Sequence, residues 1–423
     1  MKKLRSKVSC ILFVLLLASM FVVGFNFQTA KASASSQAGL GQVADTDWWP
    51  MFHHDLSHSG YSTSSAPTTN NILWSHETEG VVMSSPAVFG GMVYVGSIDN
   101  NVYCFNATTG TKVWNYTADN GIFSSPAISN GMVYVGCYDN KVYCLNASTG
   151  TEIWNYSTRS SVYSSPAVSD GRVYVGSLDD RLYCLNASTG AYVWNYTTGS
   201  SVYSSPAVSG GMVYLSSYDN HVYGLNASTG KQVWNYTTQG HIDYSSPAIS
   251  NGMLYVGSYD HNVYGLNAST GTKIWNYSTG AAISSSPAVA GGVVYVGSDD
   301  DNVYALNATS GALVWKYATG GNVISSPAVA GGIVYVGSED DNVYALNATT
   351  HALVWKYKTG DRVQSSPAVA NGVVYVGSWD YNVYAFGPVH VIPEFPSYVI
   401  LPLFMMTTLF GAIAFKRRRN IEK

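Results

Sequence analysis

The sequence predicts an all-β protein, an eight-bladed β-propeller of four-stranded antiparallel blades. One pattern runs through the 423 residues in eight repeats at steps of 40 or 41: Ser-Ser-Pro-Ala, Val-Tyr-Val-Gly, Val-Tyr, Asn-Ala-Ser/Thr and Trp. Each repeat holds four short segments rich in β-branched and aromatic residues, separated by Gly, Asn and Asp. A period of about 40 residues with four strands per period is typical of a propeller in which each repeat forms one blade.

Two residue types mark the repeat most clearly. The prolines are Pro86, Pro126, Pro166, Pro206, Pro247, Pro287, Pro327 and Pro367. The tryptophans are Trp74, Trp114, Trp154, Trp194, Trp234, Trp275, Trp315 and Trp355. The proline segment and the tryptophan segment therefore belong to different strands of every blade.

Residue size predicts the order of the strands within a blade. In the second repeat we expect strands at residues 123–129, 132–137, 142–146 and 152–157, with a two-residue hairpin turn at Asn130-Gly131. Blades crowd together near the axis, so the small Ser-Ser-Pro-Ala segment is expected to line a central channel. The eight tryptophans are expected at the rim, where each indole ring docks between neighbouring blades.

The ends of the repeat array predict how the ring closes. The last repeat has three strands and reaches Gly387-Pro388 without a tryptophan strand, whereas residues 72–78 form a tryptophan strand with no Ser-Ser-Pro segment before it. We therefore expect residues 72–78 to complete blade 8. The propeller then spans residues 72–387, and residues 35–71 form a lead-in segment before it.

Both termini predict an exported, anchored protein. Residues 1–34 have the basic start, apolar run and small-residue cleavage site of a signal peptide, with an uncleaved anchor as the alternative. Residues 388–397 form a Pro-rich linker, and residues 398–415 are apolar enough for a transmembrane helix, with a buried core helix as the alternative. The basic tail 416–423 is expected in the cytoplasm. This places the propeller on the outer face of the cell membrane.

Composition agrees with an exterior location and excludes a nucleic-acid partner. Only 11% of residues are charged and the net charge is −4, so no basic patch large enough for a nucleic acid is expected. Of twelve Asn-x-Ser/Thr sequons, we expect the five on the rim strands to carry glycans, because glycans or the lysines Lys316 and Lys356 would block pairing of the exposed edge. These five are Asn115, Asn155, Asn195, Asn235 and Asn276.

No catalytic or metal site is predicted. The cysteines have no metal-ligand spacing, and Cys137 and Cys144 are the one local pair that could form a disulfide. His53, His54 and His58 lie in the lead-in without a further ligand at usable spacing, so packing or simple exposure is expected. The aspartates of the second hairpin turns are expected to be solvated turn residues rather than calcium ligands.

Departures from the repeat predict where a partner binds. They concentrate in the loops between blades and in the second hairpin turns, which open on the same face of the propeller. Tyr163, Tyr203 and Tyr244 precede Ser-Ser-Pro and are expected at the channel mouth, where aromatic surface suits a sugar or an extended peptide. Further candidates on this face are Arg159, Arg181, His241, Asp243, Asp361, Arg362, Trp379 and Tyr381.

One segment carries a family resemblance. Residues 145–150 (Leu-Asn-Ala-Ser-Thr-Gly), followed by Trp154, resemble the tryptophan-docking motif Ala-x-Asp-x-x-Thr-Gly-x-x-x-Trp of quinoprotein-type (PQQ-like) propellers, with Asn146 in place of Asp. That family includes dehydrogenases of alcohols and sugars that use pyrroloquinoline quinone and Ca²⁺, and non-enzymatic scaffolds similar to BamB. The resemblance implies the fold. The catalytic members' adjacent-cysteine pair and active-site insertion are absent from this sequence, so neither PQQ nor Ca²⁺ is expected.

A second resemblance concerns the C-terminus. Residues 392–397 (Ile-Pro-Glu-Phe-Pro-Ser) resemble archaeal sorting signals of the Pro-Glu-Phe type, which implies processing of the terminal helix. Together these observations predict a non-catalytic, monomeric, cell-surface propeller that binds an extracellular protein or glycan. The alternatives are a quinoprotein dehydrogenase or other enzyme acting on extracellular carbohydrates or alcohols, and a structural component of a surface layer.

Overall fold

The computed structural model describes residues 47–388, and every regular element in that range is a β-strand. The strands form eight sheets of four antiparallel strands, one of which gains a short fifth strand. The predicted eight-bladed propeller is thus confirmed. The predicted signal peptide and C-terminal helix lie outside the described residues. Within residues 47–388 no helix is long and apolar enough to cross a membrane.

In each blade the chain runs outward from the strand nearest the channel. The innermost strands are Ala87–Phe89, Ala127–Ser129, Ala167–Ser169, Ala207–Ser209, Ala248–Ser250, Ala288–Ala290, Ala328–Ala330 and Ala368–Ala370. The second strands are Met92–Gly96, Met132–Gly136, Arg172–Ser177, Met212–Ser217, Met253–Gly257, Val293–Gly297, Ile333–Gly337 and Val373–Gly377. The third strands are Asn101–Asn106, Lys141–Asn146, Arg181–Asn186, His221–Asn226, Asn262–Asn267, Asn302–Asn307, Asn342–Asn347 and Asn382–Phe386. The outer strands are Lys112–Thr117, Glu152–Ser157, Tyr192–Thr197, Gln232–Thr237, Lys273–Ser278, Leu313–Ala318, Leu353–Lys358 and, in blade 8, Ile72–Glu77.

Blade 8 is built from both ends of the propeller. Its outer strand Ile72–Glu77 pairs antiparallel with Asn382–Phe386, the last strand within residues 47–388. Trp74 of this strand donates a hydrogen bond from Nε1 to the carbonyl of Ala107 in blade 1, at 2.8 Å. Non-covalent pairing between residues about 300 positions apart in sequence therefore holds the ring shut.

The innermost strand is shorter than the sequence predicts. In blade 2 it begins at Ala127, not at residue 123, because Pro126 has no N–H and the two serines before it bond elsewhere. The Oγ of Ser124 accepts a hydrogen bond from the backbone N–H of Gly136 in its own blade, at 3.0 Å. The backbone N–H of Ser125 donates to the Oγ of Ser165 in the next blade, at 2.9 Å.

The second serine of each repeat forms one bond of a closed circle, which we call the serine ring. In every blade its backbone N–H donates to the serine hydroxyl of the next blade, and Ser366 completes the circle by donating to Ser85 at 3.1 Å. The members are Ser85, Ser125, Ser165, Ser205, Ser246, Ser286, Ser326 and Ser366. Serine here supplies a bond between blades as well as small size, which sequence reasoning did not foresee.

The serine ring makes a testable contribution to stability. We expect Ser165→Ala to lower the free energy of unfolding by about 1–2 kcal/mol, because the buried N–H of Ser125 loses its acceptor. Chemical denaturation measures the loss. Ser169→Ala, which removes a more exposed hydroxyl of the same blade, should cost far less. Equal losses in the two variants would contradict a role for the ring.

The rim tryptophans dock between blades. Trp154 of blade 2 is 8% exposed, and its Nε1 donates to the carbonyl of Ala187 in blade 3, at 2.9 Å. The ring also packs on Tyr134, with 5.9 Å between ring centroids. Trp355 of blade 7 uses the carbonyl of Pro67 at 3.1 Å, because blade 8 has no turn between its third and outer strands to offer one.

The lead-in segment closes one end of the channel. Trp49 forms a bridge with Val88 of blade 1, and the carbonyl of Pro50 accepts the N–H of Ile128 in blade 2. The carbonyls of Leu56, Ser57, Ser59 and Gly60 accept the corresponding N–H groups of Val208, Ile249, Val289 and Val329. The segment thus follows the inner edges of the blades, which would otherwise expose unpaired strands. Among the described residues, the mouth of the channel lies on the opposite face, which carries the loops between blades.

Candidate functional site

The channel forms a cavity of about 190 Å³ on the axis of the propeller. Its wall is the serine ring, and Phe52 of the lead-in contributes to its closed end. The mouth is formed by the residue two positions before each ring serine. These mouth residues are Met83, Phe123, Tyr163, Tyr203, Tyr244, Ser284, Ile324 and Gln364.

One side of the mouth is aromatic. The rings of Tyr163, Tyr203 and Tyr244, which we call the tyrosine cluster, lie in mutual contact with centroid distances of 5.3–5.9 Å. Phe123 stacks on Tyr163 at 5.2 Å. All three tyrosines line the cavity at its mouth. The contacts among their rings could not be read from their spacing of about 40 residues.

The aromatic surface extends outward through a histidine. The ring of His241 lies between Tyr218, at 4.3 Å, and Tyr259, at 4.2 Å. Burial lowers the pKa of His241 below its ordinary value, so the imidazole is neutral at physiological pH. This part of the loop face therefore offers a ring surface without positive charge.

Two buried aspartates, Asp243 and Asp299, lie next to mouth residues but outside the cavity lining. Burial raises the pKa of Asp243 and of Asp299 to about 6 each, and the charge of Glu339 adds to the shift at Asp299. The Oδ1 atoms of both aspartates are buried and have no hydrogen-bond partner within residues 47–388. Asp299 Oδ2 lies 3.5 Å from the Oγ of the mouth residue Ser284.

The side of the mouth opposite the tyrosine cluster holds one polar residue, Gln364, between Ile324 and Met83. The mouth residue Gln364 donates from Nε2 to Glu339 Oε1 at 2.5 Å and accepts from Trp379 Nε1 at 3.2 Å. The guanidinium of Arg362 lies 5.7 Å from the Trp379 ring centre and 3.8 Å from Glu339 Oε1. A fixed amide thus faces the aromatic side across the cavity.

The remaining predicted face residues lie outside the cavity lining. The side chain of Arg181 is 3.8 Å from Asp179 Oδ2, and Arg159 donates its backbone N–H to the same carboxylate. The carbonyl of Tyr381 accepts hydrogen bonds from Thr78, and its side chain is 45% exposed. Asp361 likewise does not line the cavity. None of these four residues, Arg159, Arg181, Asp361 and Tyr381, lines the cavity.

The lead-in histidines pack beneath the cavity. His53 and His58 are buried, and His58 Nδ1 lies 3.0 Å from the carbonyl of Pro247. Burial lowers the pKa of His53 to about 3 and that of His58 to about 4, so both stay neutral. His54 pairs with Asp47 at 3.0 Å. No group of three or more His, Cys, Asp or Glu residues within the described range could hold a metal ion.

Two further sequence expectations are settled by contacts. The turn aspartates are not simply solvated: Asp139 Oδ2 accepts the hydroxyl of Tyr143 at 2.6 Å, and the same pair recurs in every blade. They fix the turn by hydrogen bonding from a partly buried position.

Cys137 and Cys144 are both free and buried, so the possible disulfide between them is not formed. The five rim asparagines are exposed at the outer strands.

Asp243 should weaken the fold at neutral pH. A carboxyl whose folded-state pKa is raised contributes stability below its unfolded pKa near 3.8 and loses it as pH rises through about 6. We expect Asp243→Asn to raise the free energy of unfolding at pH 7 by about 1–2 kcal/mol, allowing for partial solvation. Thermal melts at pH 7 and pH 4 test this, because the gain should disappear at pH 4. A gain of equal size at both values would contradict it.

Comparisons with known proteins agree with this architecture. A family model described as the β-propeller of beta-alanine-activating enzyme matches residues 56–254. A model described as outer membrane protein assembly factor BamB matches residues 237–325 and 260–388. No curated protein matches the chain significantly.

Solved structures show the same fold at low sequence identity. BamB from Moraxella catarrhalis is 22% identical with a TM-score of 0.66, covering 75% of this chain and 99% of that one. A europium-containing methanol dehydrogenase is 15% identical with a TM-score of 0.68, covering 81% and 98%. Quinohemoprotein alcohol dehydrogenase ADHIIG from Pseudomonas putida HK5 is 15% identical with a TM-score of 0.72, covering 81% and 80%.

Eight repeat-built blades, tryptophan docking between them and an axial cavity define an eight-bladed β-propeller. The partial matches to the two family models and the fold shared with BamB support a PQQ-like β-propeller family for this chain.

Proposed function

We propose that this protein is a non-catalytic scaffold on the outer face of the cell membrane that binds a partner protein or glycan through its loop face. One observation carries the proposal: the lead-in closes the channel on one face, and the open face concentrates aromatic side chains and unpartnered carboxylate oxygens around a cavity. Aromatic surface with a few fixed polar groups is typical of binding sites. The matching BamB model, an assembly factor, supports a scaffold role.

The solved dehydrogenases of similar fold raise the alternative of a quinoprotein enzyme. Pyrroloquinoline quinone carries carboxylates, and the groups behind this mouth are the carboxylates of Asp243, Asp299 and Glu339. Arg362, the cation beside them, already lies against Glu339. Like charges near a partly buried site oppose binding, and the described cavity lining holds no lysine or arginine to pair with the carboxylates of the cofactor. The residues present therefore do not fit this cofactor. We derive no dehydrogenase chemistry from it.

The anchoring part of the proposal comes from the sequence. Residues 1–34 have the pattern of an export signal, and residues 398–415 that of a membrane anchor. Glycans on the five rim asparagines would protect the outer strands, whose edges are unpaired. The loop face would then remain the uncovered surface through which a partner binds.

Site-specific photo-crosslinking in the native membrane tests the binding face. A photoreactive amino acid is placed at Tyr218 or at Trp379 on the loop face, and at the exposed rim residue Val233 as the matched control. We expect discrete adducts from the first two positions and none from the third. Adducts from Val233 alone, or from no position, would overturn the proposal. Reduction of a dye after adding PQQ and Ca²⁺ to the full chain would favour the dehydrogenase instead.

A further inference from the structure

We infer that the axial cavity binds one ring of a neutral sugar, such as the terminal residue of a glycan. The inference rests on the proposed binding face and names the class of ligand for it. Its volume of about 190 Å³ is far above the ~15 Å³ that one water requires and below the ~300 Å³ of ordinary drug-sized pockets. A single small ring is the size of ligand that such a space admits.

The serine ring supplies hydroxyl donors to this space. Each ring Oγ accepts a backbone N–H from the neighbouring blade, which occupies a lone pair and leaves the O–H proton for another acceptor. Within residues 47–388 only Ser246 has such an acceptor, the carbonyl of Tyr244 at 3.5 Å. The ring serines line the cavity and are at least nine-tenths buried. A ligand with several oxygen acceptors would satisfy these donors together.

The mouth supplies the second kind of contact that a sugar needs. Sugar rings present C–H groups on their faces, and these pack against the electron-rich faces of aromatic rings. The tyrosine cluster and Phe123 provide that surface on one side of the cavity. On the other side the amide of Gln364, held between Glu339 and Trp379, offers a fixed donor and acceptor for hydroxyl groups.

The negative charge near the mouth favours a neutral ligand over an acidic one. The carboxylates of Asp243, Asp299 and Glu339 lie directly behind mouth residues, so an acidic sugar such as a uronate would be repelled. These carboxylates do not line the cavity, so they act on a ligand there through their charge rather than by hydrogen bonding. Hydroxyl donors, an amide and stacked aromatic rings, with negative charge behind them, are together the chemistry that recognises a neutral polyol ring.

Saturation-transfer NMR on the detergent-solubilised full chain tests the inference. The probes are the methyl glycosides of glucose, galactose, mannose and xylose, with methyl glucuronide as the charged counterpart and the tripeptide amide Gly-Lys-Gly as the peptide probe. We expect saturation transfer to at least one neutral glycoside. The affinity for the glucuronide should be lower than the affinity for that glycoside by a factor of about ten or more. Tyr244→Ala and Gln364→Ala should each weaken the neutral glycoside about tenfold, whereas Tyr192→Ala, an exposed rim tyrosine, should not.

Melting curves confirm that each variant is folded. No transfer to any neutral glycoside, transfer unchanged in Tyr244→Ala, or Tyr244-dependent binding of the tripeptide alone would each overturn the inference. Failure here is separable from failure of the proposed function. Crosslinks at Tyr218 and Trp379 without sugar binding would leave the binding face in place and remove only the sugar assignment.

Discussion

Deleting Ile72–Thr78 should abolish the single cooperative unfolding transition and lower the melting temperature by more than any point substitution. The deletion removes the outer strand of blade 8, the docked ring of Trp74 and the pairing that joins the first and last parts of the propeller. The third strand Asn382–Phe386 is left with an open edge, which also promotes association between molecules. Differential scanning calorimetry with light scattering measures both effects.

A matched control separates closure from mere loss of residues. Replacing Ile72 and Ser75, whose side chains are exposed, with threonine keeps the strand and its backbone pairing. That variant should melt within a few degrees of the wild type. A deletion variant that melted as cooperatively as the wild type would show that strand sharing does not close the ring.

Trp154→Ala should be the most destabilising single substitution of those considered, costing about 3–5 kcal/mol of unfolding free energy. The change empties the space between blades 2 and 3 and leaves the carbonyl of Ala187 without the indole donor. Trp154→Phe retains a ring without the N–H, so we expect an intermediate loss. Chemical denaturation gives the three values.

The control for this series is Tyr192→Ala, which removes an aromatic side chain that is 54% exposed on the outer strand of blade 3. Its cost should be small, because that ring is not buried between blades. If Trp154→Ala were no more costly than Tyr192→Ala, tryptophan docking would not be a main source of stability between blades.

The sequence predicts the blades well because each repeat contains all the local information its strands require. Hairpin turns such as Asn130-Gly131 and alternating buried residues recur eight times, so every copy supports the same interpretation. The position of Trp154 at the rim follows from size alone, and the structure places it between blades. The start of the innermost strand is missed, because the serines before Pro126 resemble strand residues but bond across blades.

What the sequence does not predict depends on residues distant along the chain. The lead-in contains no repeat signal, so its path along the inner edges and the use of the Pro67 carbonyl by Trp355 could not be foreseen. The tyrosine cluster was expected at the mouth from its position in the repeat. The orphaned oxygens of Asp243 and Asp299 depend on packing between neighbouring loops, which spacing does not encode.

The shared blade also orders the events of biogenesis. The strand at residues 72–77 leaves the ribosome early, whereas its partner at 382–386 follows all the other described strands. Seven blades can therefore stack as an open arc while this first strand waits without its neighbour. Completion of the ring is therefore a late step in folding. A chain truncated before residues 382–386 would keep an unpaired strand edge at residues 72–77, which quality-control proteases and chaperones can recognise.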